Sequence, residues 1–252
     1  MDFDTGRRPE GSQGEPQSSG AGSGGGYGGG SGGTPPRAPS SASGGDFNLS
    51  DPVNSFVDVV RRVLTGPAGF FRSIAQRGNF VNPLVFALIC ALVFAVFNGL
   101  FTMLSAIISG TSGVGGAIAG FIGSIIFTPI LVAIVLFIGA GIYHLLVMLL
   151  AGQSNAGYEA TFRVVSYASA ILIVSWIASI FNLIPVVGPI IGVLLSLVIS
   201  VYGVIIQVLG IREVHSTTTG RAVAVVLIPT AVILLIVLLI VGAALMAIFG
   251  GS

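Results

Sequence analysis

Charge is scarce in this chain. Only 8% of its 252 residues are Asp, Glu, Lys or Arg, against about a quarter in an ordinary globular domain. Lysine is missing altogether, so all 10 basic residues are arginines. A formal net charge of +1 offers a polyanion no basic surface, which argues against nucleic acid as a partner. Cysteine occurs once, at Cys90, so the chain holds neither an intrachain disulfide nor a thiolate cluster for a metal. A Gly-rich phosphate loop, a nucleophile elbow and a zinc signature are all missing. No cofactor and no enzymatic activity are expected.

What is abundant is apolar: 54% of the residues, gathered in unbroken runs without a strand period or an amphipathic helix period. Five runs each approach the roughly 20 residues that cross a hydrocarbon core. They lie at Leu84 to Ser109, Ile122 to Leu150, Val164 to Ile184, Pro189 to Leu209 and Ala222 to Ile248. The fold class is therefore all-α, a polytopic membrane helix bundle of five transmembrane helices over residues 84–249. Its first partner is the lipid bilayer. In the second run, Thr128-Pro129 leaves two readings. Either the helix continues through the proline, or 129–150 is the span and 114–127 a re-entrant piece. Pro229 is expected to kink the fifth run, and Pro185, Gly188 and Pro189 turn the chain tightly between the third and fourth.

Ahead of the spans, residues 1–47 are rich in Gly, Ser and Pro, a composition that buries too little apolar surface to order a chain. This stretch reads as a disordered cytoplasmic tail or tether, or as a partner-binding arm making sparse contacts through Arg7, Arg8, Tyr27 and Arg37. The first long apolar run begins far from Met1, so no cleavable signal is expected at the start and insertion uses the first span. Residues 51–78 predict amphipathic interfacial helices. Asp51-Pro52 supplies a cap and a first-turn proline. Val53, Phe56, Val57, Val60, Val63 and Leu64 then recur at helical spacing opposite Asn54, Asp58, Arg61 and Arg62. After Gly66-Pro67, Phe70, Phe71 and Ile74 oppose Arg72 and Arg77. Aromatic rings beside arginines suit a membrane interface, and packing on the protein's own bundle is the alternative.

The arginines also predict orientation, because basic residues near span ends stay on the cytoplasmic side. Arg61, Arg62, Arg72 and Arg77 precede the first span, Arg163 lies between the second and third, and Arg212 and Arg221 lie between the fourth and fifth. The intervening connections carry no charge. This places the amino terminus in the cytoplasm and the carboxyl terminus outside. Tyr143 to Ala170 reads as a cytoplasmic loop of mixed polarity whose only charges are Glu159 and Arg163. On this reading no Asp, Glu, Lys or Arg falls inside a span. That argues against a proton path, an intramembrane protease or a metal enzyme, each of which needs ionisable groups at depth. His144 and His215 lack the neighbouring carboxylates of a metal site.

Small residues recur at helix-facing intervals. Ala87, Ala91, Ala95 and Gly99 form one ridge, and Gly188, Gly192, Ser196 and Ser200 another. Lipid gives apolar helices no hydrophobic reason to associate, so such ridges mark packing, either within the chain or at a homodimer seam. Ser166, Ser169, Ser175 and Ser179 are expected to add hydrogen bonds between helices.

From about Val57 to Ala247 the chain resembles the Yip family of five-span membrane proteins, and most closely its bacterial branch. The resemblance rests on Pro67, Phe70, Phe71 and Arg72; on Tyr143-His144-Leu145-Leu146 and Gly152; and on Thr161-Phe162-Arg163-Val164-Val165-Ser166-Tyr167-Ala168. It continues through Ile184-Pro185, Gly188, Tyr202-Gly203, His215, Arg221-Ala222 and Pro229. It implies a polytopic protein with a cytoplasmic amino tail and, in eukaryotic members, interaction with Ypt and Rab GTPases. Their tail signature Asp-Leu-Tyr-Gly-Pro does not occur here, so the resemblance carries architecture to this chain and not GTPase binding. Two functions follow. The first is a non-enzymatic scaffold or adaptor at the bacterial cell membrane, meeting a protein partner through Phe70, Phe71, Arg72, His144, Arg163, Tyr167, Arg212 and His215. The other is a transporter, channel or lipid-handling protein for a neutral or lipidic substrate, its broken helices marked by Pro129, Pro185, Pro189 and Pro229.

Overall fold

The computed structural model describes residues 45–74, 78–151 and 155–249. The expectations for residues 1–44, Arg77, Gly152 and 250–252 lie outside the described residues. Within them the chain is helical and has no strand. Two short helices come first, α1 (Pro52–Thr65) and α2 (Pro67–Ser73). Five helices long and apolar enough to cross a membrane follow: span one Val81–Ile108, span two Val114–Ala151, span three Tyr158–Leu183, span four Val187–Val214 and span five Thr219–Phe249.

The local signals act as elementary chemistry requires. Pro52 and Pro67 each open a helix, where a missing amide donor is harmless. The Asp51 carboxylate accepts from the side chain of Asn54 at 3.0 Å instead of capping the backbone. Gly66 ends α1, its amide donating to Arg62 O at 2.9 Å. Span two continues unbroken through Pro129, which settles that ambiguity in favour of one helix. Its 38 residues reach about 57 Å at 1.5 Å per residue, well beyond a hydrocarbon core of about 30 Å, so this helix tilts or projects from the bilayer. Span three is not a uniform α-helix; it tightens into 3-10 turns at Ser169–Ile171 and Phe181–Leu183.

Three sequence expectations are corrected here. Tyr143 to Ala170 is not a loop. Span two runs to Ala151 and span three begins at Tyr158, so Glu159 and Arg163 sit on a helix. Charge is accordingly not excluded from the long helices, since Arg212 and Glu213 fall in the last turn of span four and Arg221 in the first turn of span five. The folded unit also begins before residue 47, because Phe47 is completely buried.

Small residues set the closest helix contacts. Ala87, Ala91, Ala95 and Gly99 are all buried. At Gly99 a Cβ would come within 2.3 Å of Ser124 Oγ on span two, so the glycine leaves room for the Ser124 side chain against span one. Gly188 and Gly192 press span four onto the end of span three. A Cβ on Gly188 would meet Phe181 O at 1.8 Å, and one on Gly192 would meet Ala178 O at 2.9 Å. Ser196 and Ser200 of the same ridge are exposed. The serines of span three do not bridge helices. Ser169, Ser175 and Ser179 donate to carbonyls of their own helix, Val165, Ile171 and Trp176. Interhelical bonds come instead from Ser105 Oγ to Asn182 O at 2.8 Å and Ser124 Oγ to Ala95 O at 3.3 Å.

The main core lies at the end of the bundle that carries the charges. Phe47, Phe70, Phe71, Phe86, Tyr167, Ile206 and Ile211 join in one buried cluster with Val59 and Val63 of α1. Away from that end the apolar side chains point outward, as Phe127 and Leu131 do on span two, the arrangement a lipid solvent favours. Val59 and Val63 turn α1 onto the bundle while Val53 and Val57 stay exposed, so this helix packs on its own protein along one side only.

Candidate functional site

The charged end is built around Arg163. Its side chain is 3% exposed, and three contacts hold it: an ion pair with Asp46, a hydrogen bond from Nη1 to Asn79 O at 3.4 Å, and the ring of Tyr167 at 5.9 Å. Span three presents Arg163 and Tyr167 one turn apart on the same helical side. Asp46 and Phe47 reach them from the amino-terminal stretch. Phe47 N–H donates to Tyr167 Oη at 3.3 Å, its carbonyl accepts from Asn82 Nδ2 at 3.1 Å, and its ring lies 5.8 Å from Phe86. Tyr167 in turn meets Phe70 and Phe86, each at 5.3 Å. Burial pushes the Asp46 carboxyl above its ordinary range, outweighing the downward pull of Arg163. The pair therefore locates the segment more than it stabilises it.

A second polar group lies at the same end. Ala156 N–H donates to His215 Nδ1 at 3.1 Å, which leaves the proton of a neutral imidazole on Nε2. That Nε2 lies 3.0 Å from Thr161 Oγ1, and His144 Nδ1 lies 3.4 Å from the same oxygen. His215 is 1% exposed, and burial, aided by His144, lowers its pKa to about 4. Two imidazoles thus share one hydroxyl. Among the described residues no group of three or more His, Cys, Asp or Glu is placed to hold a metal ion.

A third contact ties the pre-membrane helices down. Arg72 Nε donates to Glu213 Oε2 at 3.1 Å, and Arg212 Nε donates to Glu213 Oε1 at 3.0 Å. Tyr202 Oη donates to Leu64 O at 2.6 Å, and Arg62 joins α1 to α2 through Ser73 Oγ at 2.6 Å.

Of the eight residues expected to face a partner, Phe70, Phe71, Arg163, Tyr167 and His215 are buried; His144 and Arg212 are half-buried and Arg72 exposed. The structure brings them to one end of the molecule, where most form its interior. Asp46, Phe47 and Asn79 are integral to the same site and escaped the sequence reading, and Thr161 entered it only as part of the family resemblance. For Asp46 and Phe47 the available signal was an acid and an aromatic residue adjoining at the close of a Gly-rich stretch.

Comparison with known proteins fits this architecture. The Yip1 domain matches residues 61–241, from α1 into span five. No curated protein and no solved structure matches the chain. Five apolar helices and a match over most of its length lead to one assignment: the chain is an integral membrane protein that belongs to the Yip1 domain family.

Proposed function

We propose that the protein is a non-enzymatic membrane scaffold or adaptor, with the charged end in the cytoplasm and the carboxyl terminus outside a bacterial cell membrane. The observation that supports this reading is the way the charged end is fastened. Arg163 with Asp46, Arg72 with Glu213, and Tyr202 with Leu64 O join the amino-terminal stretch, α1, α2 and two spans into one platform. Fixed elements suit the display of a surface. The outer side of α1 supplies it, with Val53, Val57, Asp58 and Arg61 exposed, and Arg72 of α2 and Arg221 in the first turn of span five are exposed as well. The arginine distribution supports the orientation.

Affinity purification of the full-length protein from its native membrane tests the reading. A reproducible partner should be lost when Val57→Asp and Arg61→Glu are combined, a change confined to exposed positions. Preparations that recover no reproducible partner, or a partner indifferent to the outer side of α1, would remove the adaptor role. Solute flux or lipid scrambling by the same protein in liposomes would favour the transport reading instead.

A further inference from the structure

We propose that a groove at the uncharged end of the bundle is a binding site for the neutral, hydroxyl-rich headgroup of a membrane glycolipid, held by Asn98, Ser175, Ser179, Asn182, Ser196 and Ser200. The inference stands independently of the adaptor reading.

The groove has a volume of about 340 Å³, within the range of roughly 300–1,000 Å³ typical of small-ligand sites. Span three forms its floor. Span one lends Phe94 and Asn98 on one side, and span four lends Pro189, Gly192, Val193, Ser196 and Ser200 on the other. From Pro189 to Ser200 the wall extends about 16 Å at 1.5 Å per residue, from the chain turn at the uncharged end toward mid-membrane. Val193, Ser196 and Ser200 are exposed, as is neighbouring Leu197, so the groove opens sideways where lipid would lie.

Its polar groups select the ligand. Neither the Asn98 nor the Asn182 side-chain amide has a hydrogen-bond partner among the described residues. Among those residues the one side-chain bond at Asn182 reaches its backbone carbonyl, which accepts from Ser105 Oγ at 2.8 Å. An acyl chain in the groove would leave both amides unmatched, a costly arrangement where water is excluded. Ser175, Ser179 and Ser196 direct their hydroxyl protons to carbonyls of their own helices, leaving oxygen lone pairs for an incoming donor. A phosphate or carboxylate brings only acceptors, and no cationic residue lines the groove to receive it. A sugar or polyol brings paired donors and acceptors without charge, which matches two amides among serine oxygens.

Trp176, the single tryptophan, follows groove residue Ser175 and stacks on Phe97 at 4.7 Å, so it reports on the site. Full-length protein in phosphatidylcholine nanodiscs would be titrated with monoglucosyldiacylglycerol while Trp176 emission is followed. A saturable change is expected, at least tenfold weaker in Asn98→Leu/Asn182→Leu. Phosphatidylglycerol and phosphatidylethanolamine should give none. An equal response to either, an unaltered response in the double variant, or binding of free methyl glucoside as tight as that of the glucolipid would overturn the proposal. A measurement on the unaltered chain guards against a variant that fails to fold. A glucolipid with a diazirine in its headgroup should crosslink to residues 94–98 and 193–200. Label elsewhere, or a second copy of the chain seated over Ser196 and Ser200 and excluding the glucolipid, would also overturn it.

Discussion

Asp46 and Arg163 stand 117 positions apart in the chain and meet as an ion pair whose guanidinium is 3% exposed. The partners are not equivalent. Arginine keeps its charge under all ordinary conditions, whereas burial already biases the Asp46 carboxyl toward its protonated form. Asp46→Ala therefore strands a buried cation and should cost about 3 kcal/mol. Arg163→Met leaves a carboxyl able to neutralise itself, and should cost less. Burial holds the folded-state pKa of Asp46 above the ordinary 3.8 even beside Arg163, and loss of that cation should raise it further, so the stability the carboxyl contributes in the variant is full below the unfolded value and lost as pH rises through the folded pKa. Thermal unfolding in detergent should show the Arg163→Met deficit shrinking toward acid pH. An identical deficit for both variants at every pH would contradict this asymmetry.

His215 titrates in the opposite sense. Its pKa is lowered from 6.5 to about 4, so folding favours the neutral ring. The contribution is complete above the unfolded value and disappears as pH falls through the folded one, a change of about 3 kcal/mol at 1.36 kcal/mol per pH unit. Protonation at Nδ1 also abolishes the acceptor for Ala156 N–H. The midpoint of unfolding should fall between about pH 6.5 and pH 4, and His215→Asn, which retains an acceptor, should flatten that slope. A slope unchanged in His215→Asn would show that another group governs it.

Span packing makes a sharp contrast between two glycines. Gly188→Ala forces a Cβ to within 1.8 Å of Phe181 O, a backbone atom with little room to yield. It should destabilise by about 3 kcal/mol or prevent folding. Gly139→Ala in span two meets nothing within 4 Å and should raise stability by about 0.5–1 kcal/mol through helix propensity. Equal thermal midpoints for the two variants would mean that spans three and four do not approach as described.

The turn between spans three and four carries local strain. Val186 has φ 68 and ψ -60, and Val187 N–H donates to Pro185 O at 2.8 Å, closing a three-residue turn that L-residues adopt reluctantly. Val186→Gly should raise the unfolding midpoint, by about 1 kcal/mol in stability. A loss of stability would indicate that the valine side chain contributes a contact outweighing the strain.

Orientation is open to direct chemistry, because Cys90 is buried and does not compete for label. A membrane-impermeant maleimide should reach Gly115→Cys from outside intact cells and Arg61→Cys only after permeabilisation. The reverse pattern would invert the proposed topology.

The five long helices were legible because an apolar run of that length has few other homes. The charged end was not. Glu159 and Arg163 resembled loop residues, since a buried guanidinium is affordable only with a partner, and the partner, Asp46, lies in a stretch whose composition suggested no structure at all. Phe70, Phe71 and Tyr167 suited an interface by type, yet only the arrival of Phe47 and Phe86 explains why they are enclosed. Small-residue spacing located close contacts at Ala87 through Gly99 but could not separate Gly192, pressed on Ala178 O, from Ser196, exposed on the next turn. Spacing marks one side of a helix and says nothing of how far along it the neighbour extends.

The bond from Tyr202 to the carbonyl of Leu64 couples distant parts of the molecule mechanically. Tyr202 follows Ser200 by two residues on a single continuous helix, so α1 and the wall of the polar groove share one rod. While that bond holds, a partner that tugs on α1 at one surface of the membrane also pulls on the rod that borders the lipid-facing groove.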